Sequence, residues 1–348
     1  MILEKSFFRN NFDFIRLFAA FQVMIMHSIG YLKLDQIPKN IVEFLSLFPG
    51  VPIFFVMSGF LISASYERDN NIWKYTKNRV LRIYPALWVS LVIAIITMYI
   101  FFENSVSFAT SIKWFFARAT FLQFYHNNIF NDYGMGNLNG TLWTIFIELQ
   151  FYVLVPILYG LFKNNLSKTL VILFFISFSV NLVFKNLDST SFIVKLVFIT
   201  ILPYLYMFLF GVFIQKNYWI IQKLLKGKFV YLITLYLVFG YICIIYCLIP
   251  KDYYYSILVF LLVPLIFSLA YSKVNFNLIT LKNDISYGIY IYHLVIINIF
   301  IEINLVGDIK YLFLLIILTI FISTLSWKFI EKPSLKLKDT VLLKRVSR

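Results

Sequence analysis

The segment that decides the fold is FDFIRLFAAFQVMIMHS, Phe12 to Ser28. Its length and apolar character suit a membrane-spanning helix, which needs about 20 residues to cross a hydrocarbon core of roughly 30 Å. It nevertheless carries Asp13, Arg16 and His27. A charge at mid-bilayer costs on the order of 2.5 to 3.5 kcal/mol on insertion scales, so ionisable groups there face the bundle interior and mark a functional site. Arg16 and His27 lie about three helical turns apart, roughly 16 Å along one face, with Ala20 and Val23 between them. A face that narrow leaves room for a thin, extended ligand.

Working outward, 61% of the 348 residues are hydrophobic and only 14% charged, far from a soluble domain. The chain reads as an all-α integral membrane protein. Apolar runs predict about ten transmembrane helices, near 13–31, 45–66, 83–102, 143–163, 169–184, 192–215, 229–249, 254–271, 285–304 and 310–330. They make one domain over 1–334, followed by a basic tail, 335–348. The first segment is too long for a signal-peptide core and lacks a cleavage pattern after it, so it is read as retained. With a cytoplasmic N-terminus, roughly two-thirds of the Lys and Arg fall in inner segments. Both termini are then cytoplasmic, and the net charge of +15 needs no nucleic acid to explain it. The 40 Phe and 24 Tyr suit packing and interfacial belts, so aromatic content alone indicates no ligand. Cys243 and Cys247 sit in one apolar run and read as packing residues. No metal spacing occurs.

The longest connection, Glu103 to Leu142, faces outside and includes SIKWFFARATFLQFY, amphipathic enough to lie on the outer leaflet. Its GMGNLNG run (Gly134 to Gly140) follows no strand, which argues against a nucleotide loop. Of the charges within spans, Lys195, Glu302 and Lys328 lie near helix ends, where long stems reach the interface. Glu148 does not. It falls about 7 Å below the outer surface by helical rise, a depth that His27 shares. A carboxylate beside a histidine fixes its tautomer and favours the imidazolium, as a general base acting on an alcohol requires. At the cytoplasmic end of the third span, Arg79 and Arg82 are three apart and face the same way, which suits phosphate groups; Pro85 is placed in that helix's first turn. Ordinary inner-face anchoring is the alternative reading of the arginine pair, and Arg16 at a similar depth tilts the balance towards phosphate.

Six motifs in order carry a resemblance: Arg16-x10-His27, GVPIFFVMSGFLIS (Gly50 to Ser63), NRVLRIYP (Asn78 to Pro85), GTLWTIFIELQFY (Gly140 to Tyr152), ISYGIYIYHLVI (Ile285 to Ile296) and FIEKP near the end of the last span. Together they resemble acyltransferase family three, the membrane-bound O-acyltransferases of bacterial surface polysaccharides, from about residue 10 to 334. The resemblance implies an acyl-CoA donor, usually acetyl-CoA, and a sugar hydroxyl of a polysaccharide or its lipid-linked precursor. It also implies a multi-pass protein of the bacterial inner (plasma) membrane. His27 and Glu148 become the expected catalytic residues, and Arg16, Arg79 and Arg82 the expected holders of the CoA phosphates. Ser58, Trp143, Tyr152, Tyr287 and His293 are expected to line the pocket. Ser58 is otherwise a close-contact residue beside Gly59, and His293 otherwise a structural histidine. His126, in the outer loop, reads as exposed.

Thr144 stands where the family often has Ser. Some relatives carry an extracytoplasmic hydrolase-like domain after the last helix, whereas this sequence ends LKLKDTVLLKRVSR, so a step made by such a domain is expected to be absent or made by another protein. Direct transfer and a covalent acyl-histidine both remain open. The reading from another class is a transporter or flippase, because intramembrane charges also line substrate pathways. Paired repeats with broken helices at matching positions would favour it, and none is seen in the sequence.

Overall fold

A computed structural model describes residues 10–102, 104, 106–162, 165–246, 251–276 and 283–338. Every regular element among them is helical. In order these are α1 (Phe12–Tyr31), α2 (Lys39–Ser46), α3 (Gly50–Arg68), α4 (Ile72–Phe101), α5 (Phe108–Ala119), α6 (Leu142–Leu161) and α7 (Leu166–Lys185). Then come α8 (Phe192–Ile199), α9 (Leu205–Lys216), α10 (Phe229–Tyr246), α11 (Lys251–Ala270), α12 (Ser286–Glu302), α13 (Ile309–Ser326) and α14 (Lys332–Lys336). Among the described residues, seven stretches are long and apolar enough to cross a membrane: Phe12–Tyr31, Lys39–Arg68, Ile72–Phe101, Leu142–Leu161, Leu166–Lys185, Tyr253–Ala270 and Ile309–Lys336. Three shorter apolar helices lie at Leu205–Lys216, Phe229–Cys243 and Ser286–Glu302. The chain is a multi-pass membrane protein. Cys247, Glu103 and the tail beyond Lys338 lie outside the described residues.

Two boundaries differ from those expected. The helix predicted from residue 83 begins at Ile72, where the Asn71 side chain accepts a hydrogen bond from the Lys74 backbone N–H. Its 30 residues reach about 45 Å, longer than a hydrocarbon core, so the turns carrying Lys74, Lys77, Arg79 and Arg82 can extend beyond it. Pro85 is therefore interior to α4 rather than in its first turn. The predicted span 192–215 is two helices, with a break between Ile199 and Leu205 that contains Pro203. Irregular backbone survives at membrane depth only when protein satisfies it. Here Gln150 donates to Ile199 O at 2.9 Å and accepts from the Ile201 N–H at 2.8 Å. Ser177 donates to Leu202 O at 2.6 Å, and Asn181 donates to Pro203 O at 2.8 Å. Both are buried.

The chain divides into two compact units, Met1–Ala19, Leu47–Asn70 and Ile147–Lys282 in one, Ala20–Ser46, Asn71–Phe146 and Asn283–Arg348 in the other. The first unit is organised by α3 against α9. Small residues let helix backbones approach closely in membranes, and a Cβ placed on Gly59 would overlap the Phe208 carbonyl, while one on Gly211 would overlap the Val56 carbonyl. Phe55 and Phe151 both stack on Phe208, at 4.6 and 4.3 Å between centroids. Phe12, at the start of α1, packs on Phe60, Phe267 and Tyr271.

In the second unit α12 packs on α13 and α4. The segment that the sequence placed on the outer leaflet is docked by buried polar groups. Arg118, 2% exposed, stacks over Trp114 and donates to the carbonyls of Gln123 and Asn139. Burial pushes its guanidinium down to about 9, which leaves it charged at neutral pH. The GMGNLNG run lies on α12: Asn139 donates to Ile291 O at 2.8 Å, Asn298 donates to Asn137 O at 2.9 Å and accepts from the Met135 N–H, and Glu302 accepts from the Gly134 N–H. Gly134 has a φ of +55°, and a Cβ there would meet the Asn298 side chain.

Gly211→Ala is expected to lower stability by about 1–3 kcal/mol or more, since only backbone atoms could give way. Gly160→Ala, with nothing within 4 Å of its Cβ position, should be neutral. Thermal unfolding of the detergent-purified variants distinguishes the two; equal transitions would refute the close crossing.

Candidate active site

The site is best built from His293. It is fully buried on α12, where its Nδ1 lies 2.9 Å from the carbonyl oxygen of Ile289, one turn back on the same helix. A carbonyl only accepts, so His293 Nδ1 carries the proton and donates it, and its Nε2 is an acceptor. That Nε2 lies 2.9 Å from Nδ1 of His27. Nδ1 of His27 must then carry its own proton and donate it, which leaves Nε2 as the nitrogen with the free lone pair. The two rings are nearly parallel, 22° apart, with centroids at 5.2 Å. Ile289 thus sets the tautomer of two imidazoles in sequence, and the outer one is presented as a base. The partner found for His27 is a second imidazole, where its depth had suggested Glu148.

Around the pair, Tyr290 lies 6.2 Å from His293 between ring centroids and shares a 2.6 Å hydrogen bond with Thr144. The hydroxyl at position 144 is therefore used, and the Ser-to-Thr change keeps it. Tyr31 packs on His27 at 5.8 Å. His126 is half-buried and bonds Asn131.

The other expected residues fall into distinct groups. Glu148 Oε1 accepts two hydrogen bonds, from Ser58 Oγ at 2.8 Å and from Tyr152 Oη at 2.5 Å. Ser58 thus adds a carboxylate partner to the close contact made by its neighbour Gly59. Arg16 pairs with Asp13, one turn away on α1, at 3.2 Å. That helix runs unbroken from Arg16 to His27, with Ala20 and Val23 buried between them. On α4, Arg82 pairs with Asp284, which also accepts from Ser286 Oγ at 2.5 Å. Arg79 lies over the Tyr75 ring at 5.8 Å. Tyr287 donates to the Ile83 carbonyl at 3.0 Å, tying the start of α12 to the same turn of α4. Trp143 is 37% exposed.

Three acidic or polar residues went unseen in the sequence. Asp284 lies in a connection, where acids are ordinary. Asn298, buried on α12, was readable as a polar group in an apolar run. Glu331, 2% exposed, sits on a π turn, Trp327–Glu331; it accepts from Ser326 Oγ at 3.2 Å through Oε1, and Oε2 has no hydrogen-bond partner among the described residues. Such turns inside helices recur at functional sites, and this one overlaps the FIEKP motif.

The family model for the acyltransferase domain matches residues 9–329. The chain is similar to nodulation protein 10 of Rhizobium leguminosarum bv. viciae, 28% identical over 99% of this chain and 98% of the relative. It is 25% identical to the O-acetyl transferase of Shigella phage Sf6, over 93% of this chain and 95% of the relative. A shorter stretch, 31% of this chain and 19% of the relative, is 30% identical to the peptidoglycan O-acetyltransferase OatA of Listeria monocytogenes serovar 1/2a. No solved structure matches. With a match over nearly its whole length, the chain belongs to acyltransferase family three.

Proposed function

We propose that the protein transfers an acyl group, acetyl in the first instance, from cytoplasmic acyl-CoA to a hydroxyl of a cell-surface polysaccharide or its lipid-linked precursor. The observation that carries this reading is the directed pair of histidines, Ile289 O to His293 to His27. The relatives named for O-acetyl transfer support the choice of acetyl and of a glycan acceptor. The charge bias of the loops supports a bacterial plasma-membrane orientation with both termini cytoplasmic.

In this reading His27 Nε2 removes the proton of the acceptor hydroxyl as its oxygen attacks the thioester carbonyl. The carbon–sulfur bond breaks, the new ester forms, and the imidazolium returns its proton to the departing thiolate. His293 acts through His27 and is a positioning residue. When His27 becomes charged, its Nδ1–H donates more strongly to the waiting Nε2 of His293, so the arrangement favours the state in which the proton has moved. Glu148, with one oxygen engaged by Ser58 and Tyr152, is kept as the second catalytic residue that the family motif implies. Arg79 and Arg82 hold the CoA phosphates at the cytoplasmic end, and Arg16 is a further phosphate-binding residue by its place in the α1 motif. Asp284 holds the Arg82 fork in place by its ion pair. Trp143 and Tyr287 complete the pocket lining.

His27→Ala is expected to cut transfer from radiolabelled acetyl-CoA to a glycan acceptor by about 10²- to 10⁴-fold, with membrane insertion intact. Retained transfer would overturn the assignment. His293→Phe removes the acceptor for His27 Nδ1, so the ring can take the opposite tautomer; kcat should fall about tenfold or more with the acceptor KM unchanged, and a KM effect alone would refute the positioning role. For Arg82→Ala, the KM for acyl-CoA should rise about tenfold or more, the scale of a lost charged hydrogen bond. An unchanged KM would move the phosphate site elsewhere.

A further inference from the structure

In the first unit, where α3 and α9 end and α7 begins, lies a cavity of about 790 Å³. It has no part in the acyl-transfer reading. Its rim, at the helix ends, carries Glu67, Gln215 and Lys216, and its apolar lining includes Phe174, Phe210 and Phe260. Those three rings pack on one another, with centroids 4.9 Å apart for Phe174–Phe210 and for Phe210–Phe260 and 6.1 Å for Phe174–Phe260. Phe210 lies about 9 Å along α9 from Lys216, and Phe174 about 10 Å along α7 from Ser167. Polarity thus falls from the helix ends inward over one to two turns, which is the depth profile of one lipid leaflet.

The rim is built rather than incidental. Glu67 accepts from Lys216 Nζ at 2.6 Å, from Gln215 Nε2 at 2.7 Å and from Tyr159 Oη at 3.1 Å. Lys216 also lies over the Tyr159 ring, 4.9 Å from its centroid. One carboxylate and one ammonium are therefore fixed side by side, and their charges balance. A purely anionic head meets Glu67 as well as Lys216 and gains little. A head that carries both signs can place its phosphate on Lys216 and its ammonium on Glu67. A glycan-bearing pyrophosphate lipid offers no ammonium for Glu67, so the rim disfavours it.

We propose that this cavity binds one bilayer phospholipid with a zwitterionic phosphoethanolamine headgroup. The head exchanges charges with the Glu67–Lys216 pair, and an acyl chain lies among Phe174, Phe210 and Phe260. The volume falls within the range of roughly 300–1,000 Å³ typical of ligand pockets. Binding here is separate from catalysis, so its test does not depend on acyl transfer.

The test is native mass spectrometry of the full chain, purified in mild detergent and offered equimolar phosphatidylethanolamine, phosphatidylglycerol and an undecaprenyl pyrophosphate. Wild type should retain one phosphatidylethanolamine. Leu170→Trp, which fills the cavity from α7, should retain at least tenfold less at an unchanged unfolding temperature, and Leu170→Phe serves the same purpose if the larger ring unfolds the protein. A Glu67→Gln, Lys216→Gln variant should keep a bound lipid but lose the headgroup preference. Equal retention in the cavity-filled variants, or a preference for phosphatidylglycerol or the pyrophosphate lipid in wild type, overturns the proposal.

Discussion

Inside a bilayer no water is on hand to meet a polar group, and each one left unmet costs several kcal/mol. That constraint shapes this chain at every level. It allows the break after Ile199 only because Gln150, Ser177 and Asn181 take over the exposed backbone groups. It fastens the connection between α5 and α6 to α12 through Asn139 and Asn298, both buried. Applied to His293, the same demand becomes chemistry. A fully buried imidazole must satisfy two nitrogens at once, and the Ile289 carbonyl dictates which one keeps the proton. The tautomer of His27 follows without any further device. Scaffold and site are thus two consequences of one accounting of donors and acceptors.

Much of this was legible residue by residue. Arg16, His27 and Glu148 stood out because charge and imidazole are costly in apolar runs, and that cost depends on sequence alone. What could not be read was who meets whom. His27 and His293 are separated by most of the chain, and depth along a helix fixes one coordinate while leaving rotation about its axis open. Two groups at one level can face different neighbours, so depth matching proposed Glu148 where the structure supplies His293. The start of α4 was hidden for another reason. Its charged first turns look like a loop when apolarity defines a span, although Asn71 offers a helix cap. Pro203 was visible as a breaker, but a long apolar run around it read as one helix.

The choice of a neutral partner for His27 has a physical logic. A carboxylate next to the ring fixes its tautomer but adds a permanent charge that must be solvated or paired within the membrane. His293 fixes the same tautomer through a lone pair and contributes no charge at rest. In the proposed reaction net charge appears on the pair only when His27 accepts a proton, so any stabilisation it receives would be confined to the reacting state, which is the condition for lowering a barrier rather than tightening a ground state. The second imidazole is also prevented from drifting to the other tautomer, because its Nδ1–H is held by a carbonyl of its own helix. Asp284 gives Arg82 a comparable fixed partner at the start of α12. The helix α12 thereby orients the His27 ring from its middle, and Asp284, in the connection just before its start, faces the guanidinium, so a rotation of that helix would disturb both at once.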